Sequence, residues 1–361
     1  MKILHVITSL HMGGAEKLMV DILPRLNCSG MQCELLTFNG EKTPFREKLE
    51  KMGIKIIDLG NNRNPYHPKN LFRLISIIKN YDIIHTHNTA PQLFAAISSI
   101  FTSNIDLITT EHNTSNRRRD WRWFKPIDKW MYSKYKVIIC ISDKTKDKLL
   151  EYLPNLKTPL TVINNGIPID EYKNAEPNEP ILKEYKGIKK LVMVAGFRYQ
   201  KDQITVIRAM QYLPINYHLF LVGDGVERRK AVDLAFKLDV DSRVHFLGKR
   251  DDVPSILKCA DICILSSHWE GFGLAAVEGM AAGKPVIASN VPGLAEVVKG
   301  AGILFELGNP KDLSEKILSL MSNNSTYQIV SERCRDRAFQ YDIERMVKGY
   351  VNVYRKENNI L

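Results

Sequence analysis

Short apolar runs along the chain alternate with longer segments in which apolar residues recur every three or four positions. In the first half these runs fall at 2–8, 32–38, 54–58, 82–88, 107–113, 137–141 and 160–163. Between them lie amphipathic stretches, of which 70–80 carries Leu74 and Ile78 on one face. Buried strands that alternate with helices predict parallel sheets covered by helices.

The alternation is interrupted at 171–187, a polar segment that contains two prolines. We interpret it as a linker between an N-terminal domain at 1–175 and a C-terminal domain at 176–339. A last helix at about 340–361, separated from the preceding one near Tyr341, is expected to pack back on the first domain. The predicted fold class is α/β, with two Rossmann-like, doubly wound domains facing across a cleft.

The stretch 260–290 has the strongest functional pattern in the second half. An apolar run at 262–265 predicts a buried strand, a glycine-bearing turn follows, and 274–282 has the composition of a helix. The amide groups of Phe272, Gly273 and Leu274 then lie at a helix N-terminus, where backbone N–H groups can bind a phosphate.

Two carboxylates, Glu270 and Glu278, stand on either side of this predicted anion site. Carboxylates accept hydrogen bonds from hydroxyl groups, so the arrangement suits a sugar nucleotide, in which a diphosphate joins two sugars. The alternative is that Glu278 is a solvated helix residue and that the glycines only shape a turn. The position at the carboxyl end of a parallel strand, where open α/β sheets bind ligands, favours a functional site.

The first predicted strand is followed by Gly13 and Gly14, which allow a ligand to approach the backbone closely. The pattern differs from the Gly-x-Gly-x-x-Gly of dinucleotide-binding proteins, so NAD is disfavoured. His85 and His87 point to the same face of a strand, but no third ligand with suitable spacing accompanies them. We therefore predict hydrogen-bonding roles at the strand end for both, and no metal site.

The net charge of +11 is concentrated between Arg117 and Lys148. Arg117, Arg118, Trp121 and Trp123 begin this segment, and their mixture of basic and aromatic side chains suits a membrane interface with anionic lipid. The alternative is a solvated helix that its two tryptophans attach to the core. Nucleic acid is not expected as a partner, because no nucleic-acid-binding motif is present.

Scattered cysteines without metal-ligand spacing predict buried free thiols in a reducing compartment. We expect the first residues to form a strand and not a signal peptide, and the sequence has no apolar run of the ~20 residues that cross a membrane. We expect a cytoplasmic protein, with peripheral contact to the inner face of the cell membrane as a further hypothesis.

The segment Glu270-Gly-Phe-Gly-Leu-Ala-Ala-Val-Glu278 resembles the Glu-x7-Glu motif of retaining glycosyltransferases of family 4, which have the GT-B fold. The resemblance extends over nearly the whole chain. Further matching segments, in the order of the family, are 13–16, 82–87, 111–112, 165–166, 223–225, 244–248, 284–288 and 293–296.

The resemblance implies a role for each matching residue. Glu278 would bind the ribose hydroxyls, Glu270 and His112 the transferred sugar, and Lys201 the departing diphosphate. Further donor contacts would come from the Phe272, Gly273 and Leu274 amides, from the loops of Gly13, Gly14 and Gly223, and from Arg250 after 244–248.

One position departs from the family pattern. Family members usually have an arginine five residues before the lysine, where this chain has Gly196. Arg198 lies in the same loop, and we predict that it binds the phosphate instead, since arginine pairs strongly with phosphate oxygens. The alternative is that Arg198 is a surface residue and Lys201 acts alone.

The resemblance implies transfer of a sugar, with retention, from a nucleotide-diphosphate donor (a UDP- or GDP-sugar) to a glycan or lipid-linked glycan in bacterial surface polysaccharide synthesis. No metal or other cofactor is expected, since Lys201 and a nearby arginine would face the diphosphate. Two alternatives are a nucleotide-sugar 2-epimerase-like enzyme of similar shape and a non-catalytic module that binds sugar nucleotides or glycans.

Overall fold

The computed structural model describes residues 1–11, 13–60, 64–102, 104–114, 119, 121 and 123–357. The chain forms two compact units, and each is described by itself. The first unit comprises Met1–Gly166 together with the C-terminal helix, and the second comprises Ile167–Asp342.

The first unit is built on a parallel sheet whose strand order is β3-β2-β1-β4-β5-β6-β7. The strands are β1 (Lys2–Ile7), β2 (Gln32–Thr37), β3 (Ile56–Asp58), β4 (Ile83–Thr86), β5 (Asp106–Glu111), β6 (Val137–Cys140) and β7 (Leu160–Val162). The helices are α1 (Gly14–Cys28), α2 (Pro44–Lys51), α3 (Pro68–Ile78), α4 (Thr89–Ser98), α5 (Phe124–Tyr132) and α6 (Asp143–Tyr152), and the C-terminal helix Ile343–Glu357 completes the unit.

Alternation along β1 explains why this sheet is covered on both faces. Ile3 and Ile7 point to one face and join a core with α1, whereas Leu4 and Val6 point to the other and join α3 and α4. The C-terminal helix lies on the α1 face and packs against α1. Strands buried on both sides read as continuous apolar runs, as this chain's sequence does.

The second unit is also built on a parallel sheet, with the order β10-β9-β8-β11-β12-β13. Its strands are β8 (Lys189–Val194), β9 (Tyr217–Val222), β10 (Val244–Gly248), β11 (Ile262–Leu265), β12 (Val286–Ser289) and β13 (Ile303–Phe305). Its helices are α7 (Ile169–Lys173), α8 (Glu179–Glu184), α9 (Gln203–Ala209), α10 (Arg228–Lys237), α11 (Val253–Cys259), α12 (Leu274–Ala281), α13 (Ala295–Val298), α14 (Pro310–Ser322) and α15 (Asn324–Phe339), and α16 is the C-terminal helix Ile343–Glu357.

The prediction of a linker at 171–187 is wrong. This segment lies within the second unit and contains most of α7 and all of α8. Ile169 and Tyr172 are buried, and α7 packs against α12. The polar composition misled because these helices bury one side only and expose their charged residues.

The chain passes between the units twice, after Gly166 and after Asp342. The amide of Ile167 donates to the carbonyl of Tyr341 at 3.0 Å, so the two crossing points are adjacent. The predicted helix break near Tyr341 is confirmed, since α15 ends at Phe339 and α16 begins at Ile343. No helix among the described residues combines the length and the apolar character that a membrane span requires.

The cysteines match the prediction of buried free thiols at five of their six positions. Cys33, Cys140, Cys259, Cys263 and Cys334 are buried and unbridged. Cys28, at the end of α1, is exposed, and the prediction of burial is wrong there.

Candidate active site

Four loops of the second unit meet at one edge of its sheet, because the carboxyl ends of parallel strands lie together. They follow β8, β9, β11 and β12 and carry six of the twelve residues that the sequence predicts to have catalytic or donor-binding roles. The loop segments are 195–202, 223–227, 266–273 and 290–294. The amide of Phe197, after β8, donates to the carbonyl of Asp224, after β9, at 3.0 Å.

Two glycines allow these loops to pack closely. Gly223 has a φ of 137°, and a Cβ there would collide with the carbonyl of Ala195. Gly293 has a φ of 86°, and a Cβ there would collide with the backbone of Glu270. Glycine is the residue that tolerates both the backbone conformation and the close approach. Gly223 therefore lets the loops after β8 and β9 pack closely, and Gly293 does the same for the loops after β11 and β12.

Lys201 and Glu270, both predicted catalytic residues, are in contact. Nζ of Lys201 donates to Oε1 of Glu270, and the hydroxyl of Ser267 donates to the same oxygen at 2.8 Å. The Glu270 side chain is 7% exposed and that of Lys201 is 23% exposed. The pair is thus shielded but reachable by a ligand that enters along the loops.

The N-terminus of α12 lies directly after Glu270. Gly273 precedes the helix with a φ of 91°, a left-handed conformation that suits glycine. Among the described residues, no group accepts a hydrogen bond from the backbone amides of Phe272, Gly273 or Leu274. Three amide groups at a helix N-terminus form a site that favours an anion.

Glu278 lies inside α12, one turn after Leu274, and is 5% exposed. The alternative of a solvated helix residue is therefore wrong. A carboxylate at such a depth requires polar partners, and Glu278 has interactions within the protein. It is placed on the same helix as the amide site, as the sequence motif implies.

The two predicted arginines differ in their surroundings. Arg198 is exposed, and its guanidinium makes no hydrogen bond or ion pair with a described residue. Arg250 makes two hydrogen bonds to Asp252, at 2.8 and 2.7 Å, and this pairing raises the pKa of Arg250. Arg198 is therefore available to a new anion, whereas the charge of Arg250 is already matched by a carboxylate.

Three aromatic side chains beside Glu270 were not predicted as site residues. The rings of Tyr199 and His268 stack with centroids 4.5 Å apart, and Trp269 lies 6.0 Å from Tyr199. Tyr199 and Trp269 are exposed. The sequence signal was present, since Trp269 directly precedes Glu270 and Tyr199 directly follows Arg198.

In the first unit, Gly13 and Gly14 lie where α1 begins, as predicted. Gly13 precedes the helix in an extended conformation, and its carbonyl accepts from the amide of Lys17 at 2.9 Å. The carboxylate of Glu16 folds back over Gly13, where a side chain at position 13 would meet it.

His112, which follows β5, belongs to a hydrogen-bonded chain of imidazoles. Its Nε2 is 3.1 Å from Nδ1 of His87, and Nε2 of His87 is 2.9 Å from Nδ1 of His5. His85 contacts the hydroxyls of Thr110 and Tyr354 at 2.8 and 2.6 Å. The predicted hydrogen-bonding roles of His85 and His87 are confirmed.

The expectation that His85 and His87 have no third potential metal ligand is wrong. His5 on β1 brings its nitrogen within 4.8 Å of theirs, close enough for a shared metal ion. However, both nitrogens of each ring are already hydrogen-bonded to other side chains. Burial lowers the pKa of His5 to about 3, so the cluster is a set of neutral, mutually satisfied imidazoles.

Only part of the basic and aromatic segment is described by the structure. Arg117 and Arg118 lie outside the described residues. Trp121 and Trp123 are exposed, and their rings stack at 5.8 Å. The alternative in which the two tryptophans attach a helix to the core is therefore wrong. Trp123 also stacks on Phe124, at 3.9 Å, at the start of α5.

Comparisons with known proteins match both units. The family model described as "Glycosyltransferase Family 4" matches residues 12–171, and the model "Glycosyl transferases group 1" matches residues 174–337. The boundary between the two matches lies within a few residues of the first crossing between the units.

Three similar proteins illustrate the match. An uncharacterized glycosyltransferase of Methanocaldococcus jannaschii is 31% identical, over 76% of this chain and 75% of that protein. The UDP-Gal:alpha-D-GlcNAc-diphosphoundecaprenol alpha-1,3-galactosyltransferase of Escherichia coli is 27% identical over 79% of both chains. The crystal structure of HepE from Anabaena in complex with UDP and glucose superposes with a TM-score of 0.89 at 21% identity, over 99% of this chain and 100% of that one.

The structural likeness shows the GT-B fold, and the sequence matches reach further, because two family models together span both units. The chain belongs to the glycosyltransferases of family 4.

Proposed function

We propose that this glycosyltransferase moves a sugar from a nucleotide-diphosphate donor to a hydroxyl of a glycan or lipid-linked glycan, with retention at the anomeric carbon. The observation that carries the proposal is the contact between Lys201 and Glu270 beside the N-terminus of α12. The cation and the backbone amides suit the diphosphate of such a donor, and the carboxylate suits hydroxyl groups of its sugar.

The diphosphate would bind to the amides of Phe272, Gly273 and Leu274 and to Lys201. These groups stabilise the negative charge that develops on the leaving phosphate. Arg198, exposed in the preceding loop, would add a second cation. Glu278 would accept hydrogen bonds from the ribose, and Glu270 from the transferred sugar.

We propose that the transfer needs no metal ion. Lys201 and Arg198 supply positive charge on the side of the leaving phosphate, which is the role a divalent metal plays in other transferases. Among the described residues, the group whose nitrogens lie close enough for a shared metal ion is the imidazole cluster of the first unit, and its nitrogens are hydrogen-bonded.

Retention is proposed because the segment from Glu270 to Glu278 resembles the motif of the retaining enzymes. Among the described residues of the site, no carboxylate is an obvious nucleophile for a covalent intermediate, so a front-face route is favoured over a double displacement. Glu270 is held by Lys201 and Ser267 through the same oxygen, which suits a hydroxyl acceptor more than an attacking group. The departing phosphate would then take the proton of the acceptor hydroxyl on the face where the new bond forms.

The acceptor is proposed to be a lipid-linked glycan. The Escherichia coli relative is named for a diphosphoundecaprenol-linked acceptor, and HepE was solved with UDP and with UDP and glucose. The exposed, stacked Trp121 and Trp123 lie in a segment of high positive charge, which suits contact with an anionic membrane surface. We therefore favour a UDP-sugar as donor and a peripheral position at the membrane.

The first experiment is a thermal-shift panel with UDP, GDP, ADP and their common sugar conjugates, with and without EDTA. A ligand that binds the folded state at a concentration of 100 Kd adds about 2.7 kcal/mol to the free energy of unfolding, and this raises the melting temperature. We expect UDP compounds to give the largest shift and EDTA to leave it unchanged. A shift that EDTA removes would contradict the metal-independent donor site.

Turnover is then measured as nucleotide release with and without a lipid-linked acceptor. Release that requires the acceptor supports transfer, whereas release without any acceptor supports the epimerase alternative. Nucleotide binding without release under any condition supports a binding module. The anomeric configuration of the product, determined by NMR coupling constants, tests retention.

A further inference from the structure

The imidazole chain of the first unit ends at a hydroxyl of the C-terminal helix. The hydroxyl of Tyr354 lies 2.6 Å from Nδ1 of His85 and 3.3 Å from Nε2 of His5. His5 continues through His87 to His112. One end of the chain is thus fixed by α16, and the other is the residue expected to contact the transferred sugar.

All four imidazoles are neutral. Burial lowers the pKa of His5 to about 3 and that of His112 to about 4, and it lowers the pKa of His85 and of His87 well below the ordinary value. A neutral imidazole carries one N–H, so it donates from one nitrogen and accepts at the other. Fixing the proton on one ring therefore fixes it on every ring that follows.

The distances around Tyr354 indicate which atom donates in each of its two hydrogen bonds to histidine. The 2.6 Å separation suits donation by the hydroxyl, because O–H donors make shorter hydrogen bonds than N–H donors, and the 3.3 Å separation is that of a weaker bond, just beyond the usual range for an N–H donor. Tyr354 then donates to Nδ1 of His85 and accepts from Nε2 of His5.

The remaining protons follow in turn. Nδ1 of His5 lacks a proton and accepts from Nε2 of His87, at 2.9 Å. Nδ1 of His87 likewise lacks a proton and accepts from Nε2 of His112, at 3.1 Å. His112 therefore carries its proton on Nε2, and its Nδ1 has a lone pair with no partner among the described residues.

We propose that the hydroxyl of Tyr354 sets, through His5 and His87, the tautomer of His112, so that Nδ1 of His112 accepts a hydrogen bond from a hydroxyl group of the transferred sugar. Tyr354, His5 and His87 are positioning residues in this scheme. The identity of the ligand rests on the proposed function, whereas the tautomer is a property of the protein alone.

The second branch of the network gives a matched control. Tyr350, one turn before Tyr354 on α16, contacts Thr110 at 3.1 Å, and Thr110 contacts His85. Tyr350 is buried like Tyr354, but the hydroxyl of Tyr350 is not part of the path from Tyr354 to His112. Tyr350→Phe and Tyr354→Phe each remove one buried hydroxyl, and only the second interrupts that path.

The test is a long-range ¹H–¹⁵N spectrum of the histidine side chains of the full chain, with His112 assigned from the spectrum of His112→Gln. In the wild type we expect a protonated Nε2 and an unprotonated Nδ1 on His112. Tyr354→Phe should give a mixture of both tautomers, and Tyr350→Phe should retain the wild-type pattern. A wild-type His112 with its proton on Nδ1, or an unchanged pattern in Tyr354→Phe, overturns the proposal.

The wild-type spectrum shows which nitrogen of His112 carries the proton even if Tyr354→Phe does not fold. A stoichiometric metal that copurifies and shifts the signals of His5, His85 and His87 also overturns the proposal. Where a donor has been identified, Tyr354→Phe should lower kcat/KM about tenfold relative to Tyr350→Phe. If no donor is turned over, the proposed function fails, while the spectra still test the tautomer.

Discussion

Nζ of Lys201 donates a hydrogen bond to the carboxylate of Glu270, 69 positions later in the sequence. The two residues reach one another because β8 and β11 are neighbours in the sheet, and both side chains leave the carboxyl ends of those strands. A ligand phosphate that binds Lys201 must share it with Glu270. The donor site therefore forms around a preexisting ion pair and not around an isolated cation.

Lys201→Met should reduce turnover by about 10²- to 10³-fold, the usual effect of removing one group that stabilises developing negative charge. The measurement is nucleotide release under single-turnover conditions. Lys237→Met, an exposed lysine of α10, is the control and should retain activity. Full activity in Lys201→Met would show that Lys201 does not bind the leaving group.

The stability of the protein should fall as the pH drops from about 6.5 towards 4. Burial lowers the pKa of His5 to about 3 and that of His112 to about 4, from an ordinary 6.5. Below pH 6.5 the unfolded chain binds protons that the folded chain does not, so the free energy of unfolding falls by about 1.4 kcal/mol per pH unit for each such histidine.

Urea denaturation at pH 7.0 and pH 5.0 measures this dependence. His87→Gln should weaken it, because the pKa of His87 is also lowered by burial. The control is His11→Gln, since His11 is exposed and should leave the dependence unchanged. Equal midpoints at both pH values would contradict neutral buried imidazoles.

Gly293→Ala should destabilise the second unit and weaken donor binding. Gly293 has a left-handed φ, and a methyl group there would strike the backbone of Glu270. Gly308→Ala is the matched control, because Gly308 has a similar φ of 71° but open space around it. We expect Gly308→Ala to cost about 1–2 kcal/mol from backbone strain alone.

The comparison isolates the contact between the loops after β11 and β12. Chemical denaturation and the thermal shift with UDP are measured for both variants. Gly293→Ala should lose more stability than Gly308→Ala and bind UDP more weakly. Equal losses in stability, with equal binding, would mean that the contact between Gly293 and Glu270 does not shape the donor site.

The double variant Trp121→Ala/Trp123→Ala should bind anionic lipid vesicles at least tenfold more weakly than the wild type. Both side chains are exposed and available to insert at a membrane interface. Vesicle cosedimentation measures the effect. Phe236→Ala removes an equally exposed aromatic residue of the second unit and should have no effect. Unchanged binding in the double variant would contradict membrane contact by these tryptophans.

The strands and helices followed from the sequence because burial on both faces of a parallel sheet leaves an apolar run at every strand. The N-terminus of α12 could also be predicted from the sequence, since a strand, a glycine turn and a helix follow one another within a few residues. The prediction of a linker at 171–187 was wrong because α7 and α8 are short helices that bury few side chains, such as Ile169 and Tyr172.

The sequence by itself determined the alternation of elements, the resemblance of the segment from Glu270 to Glu278 to a family motif, and the loops that carry the candidate site, because each of these is a local pattern. The tertiary structure alone decided which side chains meet. It joined Lys201 to Glu270, and it joined His5 to Tyr354 across 349 positions of sequence. Such contacts depend on strand order and helix docking, which bring together residues that share no local pattern.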